Sequence, residues 1–323
     1  DGNGIGQRPV GGLADPHGVP AVARRGRRIG HAGSVTPRRA RRQPARTPSA
    51  GRWHAPVPAG CKAGKLHGMT DLADLPATEA ARRLRAGSLT AAALTEALLA
   101  RIAAREPALR AFAWHDPAQA RRAAAAADAA TRAGRATGPL HGLALGVKDV
   151  LDTADMPAQY SSAAWAGYRP RADAACVALA RRAGAIVIGK TVTTEFATRH
   201  PGPTANPHHQ GHTPGGSSSG SAAGAAAGFF QAGLGTQTAG SIIRPAAYCG
   251  VVGFKPSFGA LHRAGMKVMS ESLDTIGVIA RSVGDCALFM AGATGGDYGD
   301  PAVKPGRAPR LALCLGPTAD QAD

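Results

Sequence analysis

The stretch Pro214–Pro256, PGGSSSGSAAGAAAGFFQAGLGTQTAGSIIRPAAYCGVVGFKP, narrows most what this chain can fold into. It carries two serine-bearing glycine-rich loops, GGSSSG and TAGS, separated by a run of small residues. Glycine gives the backbone conformations closed to other residues and lets it come close to a ligand. Serines in such loops can present hydroxyls and backbone N–H groups at one point. The stretch therefore reads as the floor of an active site that uses serine as its nucleophile.

The 323 residues suffice for one large or two ordinary domains. Hydrophobic residues make up 44%, enough for a substantial core, while aromatics are only 4%, so small side chains must do much of the packing. The formal net charge of +17 suggests nucleic acid, but its distribution argues against that partner. Residues 1–68 hold 13 Lys+Arg and 2 Asp+Glu, so +11 of the +17 belongs to them. That segment, rich in Gly, Pro and Arg, has no periodicity and is expected to form no packed core. A polyanion-binding or organelle-targeting arm is one reading of it. A translated upstream segment is the preferred one, because Met69 opens the well-patterned sequence that follows. The expected domain organisation is thus 1–68 and 69–323. No apolar run approaches the ~18 residues of a membrane span, and no secretory signal is recognisable. The five cysteines, Cys61, Cys176, Cys249, Cys286 and Cys314, lack metal-site spacing and fit a reducing compartment. The expected location is the cytoplasm.

From Met69 the pattern is helical. A helix is predicted from Ser88, to be ended by Pro107, and another from about Asp116 to Ala133. Leu140–Val150 reads as a buried strand that ends at Lys148 and Asp149. Asp173–Ala185 reads as an Asp-capped helix and Ile186–Thr191 as a strand. Strand, helix and strand with short connections make a parallel α/β unit. A helix in AAGAAAGFF, a strand in AGLGTQT, strand and loop material up to Ser282, a helix over Ser282–Gly295 and a strand over Leu311–Gly316 complete the expectation.

Taken singly, the residues that could carry chemistry are ambiguous. Lys148 closes an apolar run at a strand end, where parallel α/β folds place ligands. Taken alone, it reads first as an ordinary solvated charge or as half of an ion pair with Asp149. Burial would depress its pKa and free its amine to act as a base. GGSSSG resembles a flexible linker, yet it is embedded in apolar sequence and precedes a helix, whose free N–H groups suit an anion or a carbonyl. No Gly-Lys-Ser/Thr follows it, which excludes a Walker phosphate loop. Thr238, Ala239 and Gly240 stand directly before Ser241, so their N–H groups could converge on an oxyanion, or the segment is a tight turn with a capping serine. His200, His208, His209 and His212 show no metal-ligand spacing and read as a polar surface loop.

Together, in this order, Lys148 in GVKD, GGSSSGSAA and GTQTAGSIIRPAAYCGVVGFKP resemble the amidase signature family, as do GKTVTTEFA, NPHHQGHTPGG and LDTIGVIARSVGD. The resemblance runs from about Met69 to the chain end. It implies an α/β fold with a central mixed, largely parallel sheet flanked by helices. It further implies a Ser–Ser–Lys triad, with Lys148 as base, Ser217 as relay behind a cis peptide bond and Ser241 as nucleophile. The oxyanion hole would be Thr238, Ala239 and Gly240. The implied reaction is hydrolysis of a small-molecule carboxylic amide without metal or organic cofactor, and a homodimer stays open as an assembly. One alternative is the A subunit of a tRNA-dependent amidotransferase, releasing ammonia from glutamine for a partner. Departures from the family pattern are Gln237 for a frequent Asp, Ala239 for Gly, and SIIRPA, which moves the arginine to Arg244. Full-length relatives continue past Asp323, so the C-terminal part is expected to be missing, and an inactive fragment is the remaining alternative.

Overall fold

In the computed structural model the described residues are 71–300 except 137, with 303–304, 306–308 and 310. The basic segment 1–68 and the strand expected over Leu311–Gly316 lie outside them. Helix α1 spans Ala77–Arg85 and α2 spans Ala91–Leu109. Thr90, two residues after Ser88, caps α2 by accepting from the Ala93 N–H at 3.1 Å. Leu94, Leu98, Leu99 and Ile102 bury one face of α2. Pro107 does not end it. A proline in the last turn forgoes a single N–H bond, and the helix stops instead at Arg110, whose φ is 54°. There the Glu106 carboxylate collects the N–H groups of Ala111 and Phe112. Those residues lead into β1, Phe112–His115, a strand the pattern between two helices does not announce. Helix α3, Pro117–Arg132, is capped by Asp116 as expected, with Ala118 N–H to Oδ1 at 2.8 Å.

The other elements are β2 (Ala144–Lys148), α4 (Ala175–Arg182), β3 (Ile186–Thr191), α5 (Ser219–Ala227), β4 (Ala232–Gln237), α6 (Ile243–Tyr248), β5 (Val252–Phe254), β6 (Thr275–Ala280) and α7 (Val283–Thr294). β2 is shorter than predicted. Gly138 and Gly142 adopt positive φ, and Leu140 and Gly142 turn to donate to the carbonyls of Ala183 and Gly184, so the ladder starts only at Ala144. Asp173 does not cap α4; its carboxylate accepts from the Ala154 N–H and pairs with Arg181.

The six strands among the described residues are ordered β1-β3-β2-β4-β6-β5. Pairing is parallel across the centre, β3-β2-β4, and antiparallel outside it. The sheet is therefore mixed, as expected, but three of its five pairings are antiparallel, so it is parallel only at its centre rather than largely parallel; helices lie against it. Every residue of β2, β3, β4 and β6 is buried, as a sheet covered on both faces requires. α5 must lie very close to it. Phe230 fills the space left by Gly146 of β2, Gly224 of α5 and Gly233 of β4. A Cβ on Gly220, the second residue of α5, would lie 2.1 Å from the Ala111 carbonyl oxygen and 2.4 Å from the Val192 nitrogen. Both obstacles are backbone. Gly220→Ala is therefore expected to lower stability by about 1–3 kcal/mol or more, read as a lower denaturant midpoint; an unchanged midpoint would show that α5 can shift freely.

Candidate active site

Three chain segments end at one place. β2 ends at Lys148, β4 runs out at Gln237 toward Ser241, and α5 begins directly after Ser217 and Ser218. The serines of GGSSSGS are separately employed. Ser219 Oγ donates to the Val192 carbonyl, beyond β3, at 3.2 Å, and Ser221 Oγ to the Leu234 carbonyl of β4 at 2.9 Å. Ser218 Oγ contacts the Thr236 carbonyl and N–H, each at 3.3 Å. These bonds fasten the start of α5 to both neighbouring strands. They leave Ser217 Oγ to Lys148, whose Nζ donates to it at 2.7 Å. The Gly216–Ser217 peptide bond is cis, as the sequence resemblance implied.

Lys148 is fully buried. Its other contacts are Thr236 Oγ1 at 2.8 Å and the Thr236 carbonyl at 3.3 Å. No carboxylate pairs with it among the described residues; Asp149 pairs instead with Lys190 of β3, at 2.9 Å. Burial holds the Lys148 ammonium down to a pKa of about 7, opposed by the charge of Asp274. Burial likewise lowers Lys190 and raises Asp149, and their mutual attraction opposes both shifts. Two buried lysines thus stand on adjacent strands. One is neutralised by a counter-charge, and the other is surrounded by neutral oxygen atoms.

Ser241 is buried and follows the turn 238–240. The Ser218 N–H donates to its carbonyl at 3.2 Å, which brings the Ser241 turn against the Ser217 loop. Its hydroxyl makes no hydrogen bond among the described residues, so Lys148 and Ser217 are in contact while Ser241 is joined to them through backbone. The N–H groups of Thr238, Ala239 and Gly240 donate to no acceptor among the described residues. The turn is held from its side chains. Thr238 Oγ1 donates to the buried carboxylate of Asp274, which also accepts from the Met269 and Ser270 N–H groups. Gln237 Oε1 accepts from the Ile242 and Ile243 N–H groups at the start of α6, and its Nε2 donates to the Ala239 carbonyl at 2.9 Å. Arg244 donates twice to the Gly216 carbonyl, at 3.0 and 2.8 Å.

Among the described residues no group of three or more His, Cys, Asp and Glu could hold a metal ion. His200, His208, His209 and His212 are all exposed, in agreement with a polar surface loop.

A family model described as Amidase matches residues 93–311, about two thirds of the chain. The chain belongs to the amidase family. The glutamyl-tRNA(Gln) amidotransferase A subunit of Roseiflexus sp. (strain RS-1) is 46% identical over 235 residues, covering 71% of this chain and 48% of that protein. Among solved structures, the peptide amidase of Stenotrophomonas maltophilia shares 41% identity with a TM-score of 0.65, over 73% of this chain and 51% of that one. An amidase family protein of Bacillus anthracis str. Ames matches at 31% identity and TM-score 0.64, over 70% and 47%. The chain spans about half the length of the relatives it matches.

Within this amidase-family site, sequence reasoning missed four supporting groups. Thr236 faces Lys148, Asp274 anchors the Ser241 turn, and Gln237 and Arg244, read only as departures from a pattern, tie that turn to α6 and to Gly216. Nothing local marks Asp274, because its partner Thr238 lies 36 residues away in sequence.

Proposed function

We propose that this chain carries the catalytic residues for hydrolysis of a carboxylic amide, with Ser241 as nucleophile and Ser217 and Lys148 as its proton relay. One observation carries this reading. Lys148 is buried, has no carboxylate partner among the described residues and lies 2.7 Å from the Ser217 hydroxyl. An amine of pKa about 7 is substantially neutral near neutral pH and can take a proton. Lys148 accepts the Ser217 proton, and Ser217 accepts that of Ser241. Ser241 Oγ then attacks the amide carbon. The carbonyl oxygen becomes an oxyanion beside the unspent N–H groups of Thr238, Ala239 and Gly240, where one such donor is worth about 2.7–4 kcal/mol. The relay returns the proton to nitrogen as the C–N bond breaks and ammonia or an amine leaves. Water deprotonated by the same relay splits the Ser241 ester and gives the acid. No metal or organic cofactor enters any step.

A fluorophosphonate tests this directly, because its phosphorus is attacked far faster by an activated serine than by an ordinary hydroxyl, with fluoride leaving. The purified protein is expected to gain one phosphonyl group, mapped by mass spectrometry to Ser241 and absent in Ser241→Ala. A folded protein that stays unlabelled overturns the reading.

The identity to the A subunit of the amidotransferase supports a second reading, in which glutamine is the amide and its ammonia passes to a partner. Glutaminase activity that appears only with a co-purifying partner would select it. The buried free thiols of Cys176, Cys249 and Cys286, whose pKa values burial pushes up to about 12, support a reducing, cytoplasmic setting. Among the described residues no helix is long and apolar enough to cross a membrane.

A further inference from the structure

An aromatic cage lies beside the candidate site, and the relay makes no use of it. Tyr160, Trp165 and Phe196 surround the ammonium of Lys267, with ring centroids 5.9, 5.2 and 5.9 Å from Nζ. The rings also contact one another, Tyr160 with Trp165 at 5.2 Å and Tyr160 with Phe196 at 6.2 Å. Lys267 is exposed and forms no ion pair among the described residues.

The cage is tied to the site from three sides. The Asp149 carboxylate, next to Lys148, accepts from the Gln159 N–H, and Gln159 precedes Tyr160. Phe196 N–H donates to the Tyr160 carbonyl, and Thr194 N–H to the carbonyl of Ser217. The Lys267 N–H donates to the Val150 carbonyl, two residues beyond Lys148. The chain then runs from Lys267 to Asp274, which holds the Ser241 turn through Thr238. Lys267 thus stands on a segment that borders the site from the Lys148 end to the oxyanion turn.

The backbone there is unusual as well. Among the described residues five non-glycine residues have positive φ, and four of them are Tyr160, Ser161, Phe196 and Ala197. Such conformations cost of order 1–3 kcal/mol each and persist where surrounding structure imposes them, commonly at ligand sites. Here the two strained turns present the rings that hold Lys267.

We infer that Lys267 is a carboxylate-reading residue, and that the cage selects amides bearing a carboxylate at the end of an apolar stem. This rests on the hydrolysis reading, because the bound carboxylate is taken to be the substrate's. The three rings attract the cation without occupying its N–H donors. The ammonium is therefore oriented while its hydrogen bonds stay available to an anion, and charge-assisted bonds of this kind are short and strong. A single positive charge with neutral aromatic walls matches a monoanion whose stem can lie on the rings. A phosphate would call for the additional cationic or helix-terminal donors that such groups usually find.

The test is calorimetric titration of the Ser241→Ala protein, which cannot turn the ligand over. The ligands are ω-carboxy amides with two to six methylenes, each matched by its methyl-ended counterpart. At least one carboxylate is expected to bind about tenfold tighter than its match, a difference of about 1.4 kcal/mol. That ratio is expected to fall to about one in Lys267→Met, to persist in Lys267→Arg, and to shrink with added salt. If no carboxylate is preferred at any length, or the preference survives Lys267→Met, the inference is overturned. Fluorophosphonate labelling of the wild-type protein separates the two readings. Unlabelled Ser241 with an intact carboxylate preference sinks hydrolysis and leaves the carboxylate site standing.

Discussion

Replacing Lys148 by methionine is expected to lower amide hydrolysis by about 10²–10⁴-fold, the usual contribution of a positioned base, while the protein stays folded. Methionine keeps most of the side-chain volume and brings no charge into the interior. The two hydroxyls left behind, on Ser217 and Thr236, lose a donor at 2.7 and 2.8 Å. Ser217 can rotate its own proton, so the structural cost is small beside the chemical one. The pH dependence separates a base from a structural amine. Activity is expected to rise as pH passes about 7, where Lys148 loses its proton in the folded protein. Stability follows the same group with a definite sign. The folded pKa lies below the ordinary 10.5, so between about 7 and 10.5 the unfolded chain binds the additional proton, and stability rises with pH. Above that window the contribution is fully present, and it is lost as pH falls toward 7. Lys148→Met is expected to remove this rise from denaturant titrations measured across the window. Retained hydrolysis, or an unchanged pH dependence of stability, would remove Lys148 from its assigned role.

Legibility in the sequence follows the range of the interactions. The caps of α3 and α7 are readable because cap and target sit two or three residues apart, as with Asp116 and Ala118 or Ser282 and Asp285. The buried central strands β3 and β4 are readable as short runs of apolar and small residues, IVIGKT and AGLGTQ. The strand β1 is not, because four half-buried residues between two helices carry no periodicity. The helix α6 is hidden by Pro245, although a proline in a first turn surrenders no helical bond. Pro107 misleads in the opposite way, since position within a helix decides what a proline costs. At the site, residue types and order bring forward Lys148, Ser217 and Ser241. What the chain order cannot reveal is the partner assignment. Thr236 with Lys148, Asp274 with Thr238 and Arg244 with Gly216 are all fixed by sheet order and loop docking.

The partner assignment that matters most for the fold is Asp149 with Lys190, and removing Asp149 alone is expected to cost more stability than Gly220→Ala or Lys148→Met. Both side chains of the pair are almost completely buried. Asp149→Ala leaves the Lys190 ammonium with the neutral Pro157 carbonyl, at 3.1 Å, in place of a counter-charge. A buried charge without its counter-charge typically destabilises a fold by about 3–5 kcal/mol. Asp149 also accepts from the Gln159 N–H, so its loss releases the turn leading to Tyr160. The double change Asp149→Ala with Lys190→Met removes both charges, and it is expected to regain much of the stability lost by Asp149→Ala alone, because no unpaired ion remains inside. Denaturant midpoints of the two single variants and the double variant form a cycle. If the losses simply add, the pair is not coupled. If they couple as expected, the pair explains how the same stretch of sheet holds two buried lysines in different states. Asp149 supplies the charge that opposes the lowering of Lys190, and because its carboxylate is committed there, Lys148 has no carboxylate in contact among the described residues and only the charge of Asp274 acts against its burial.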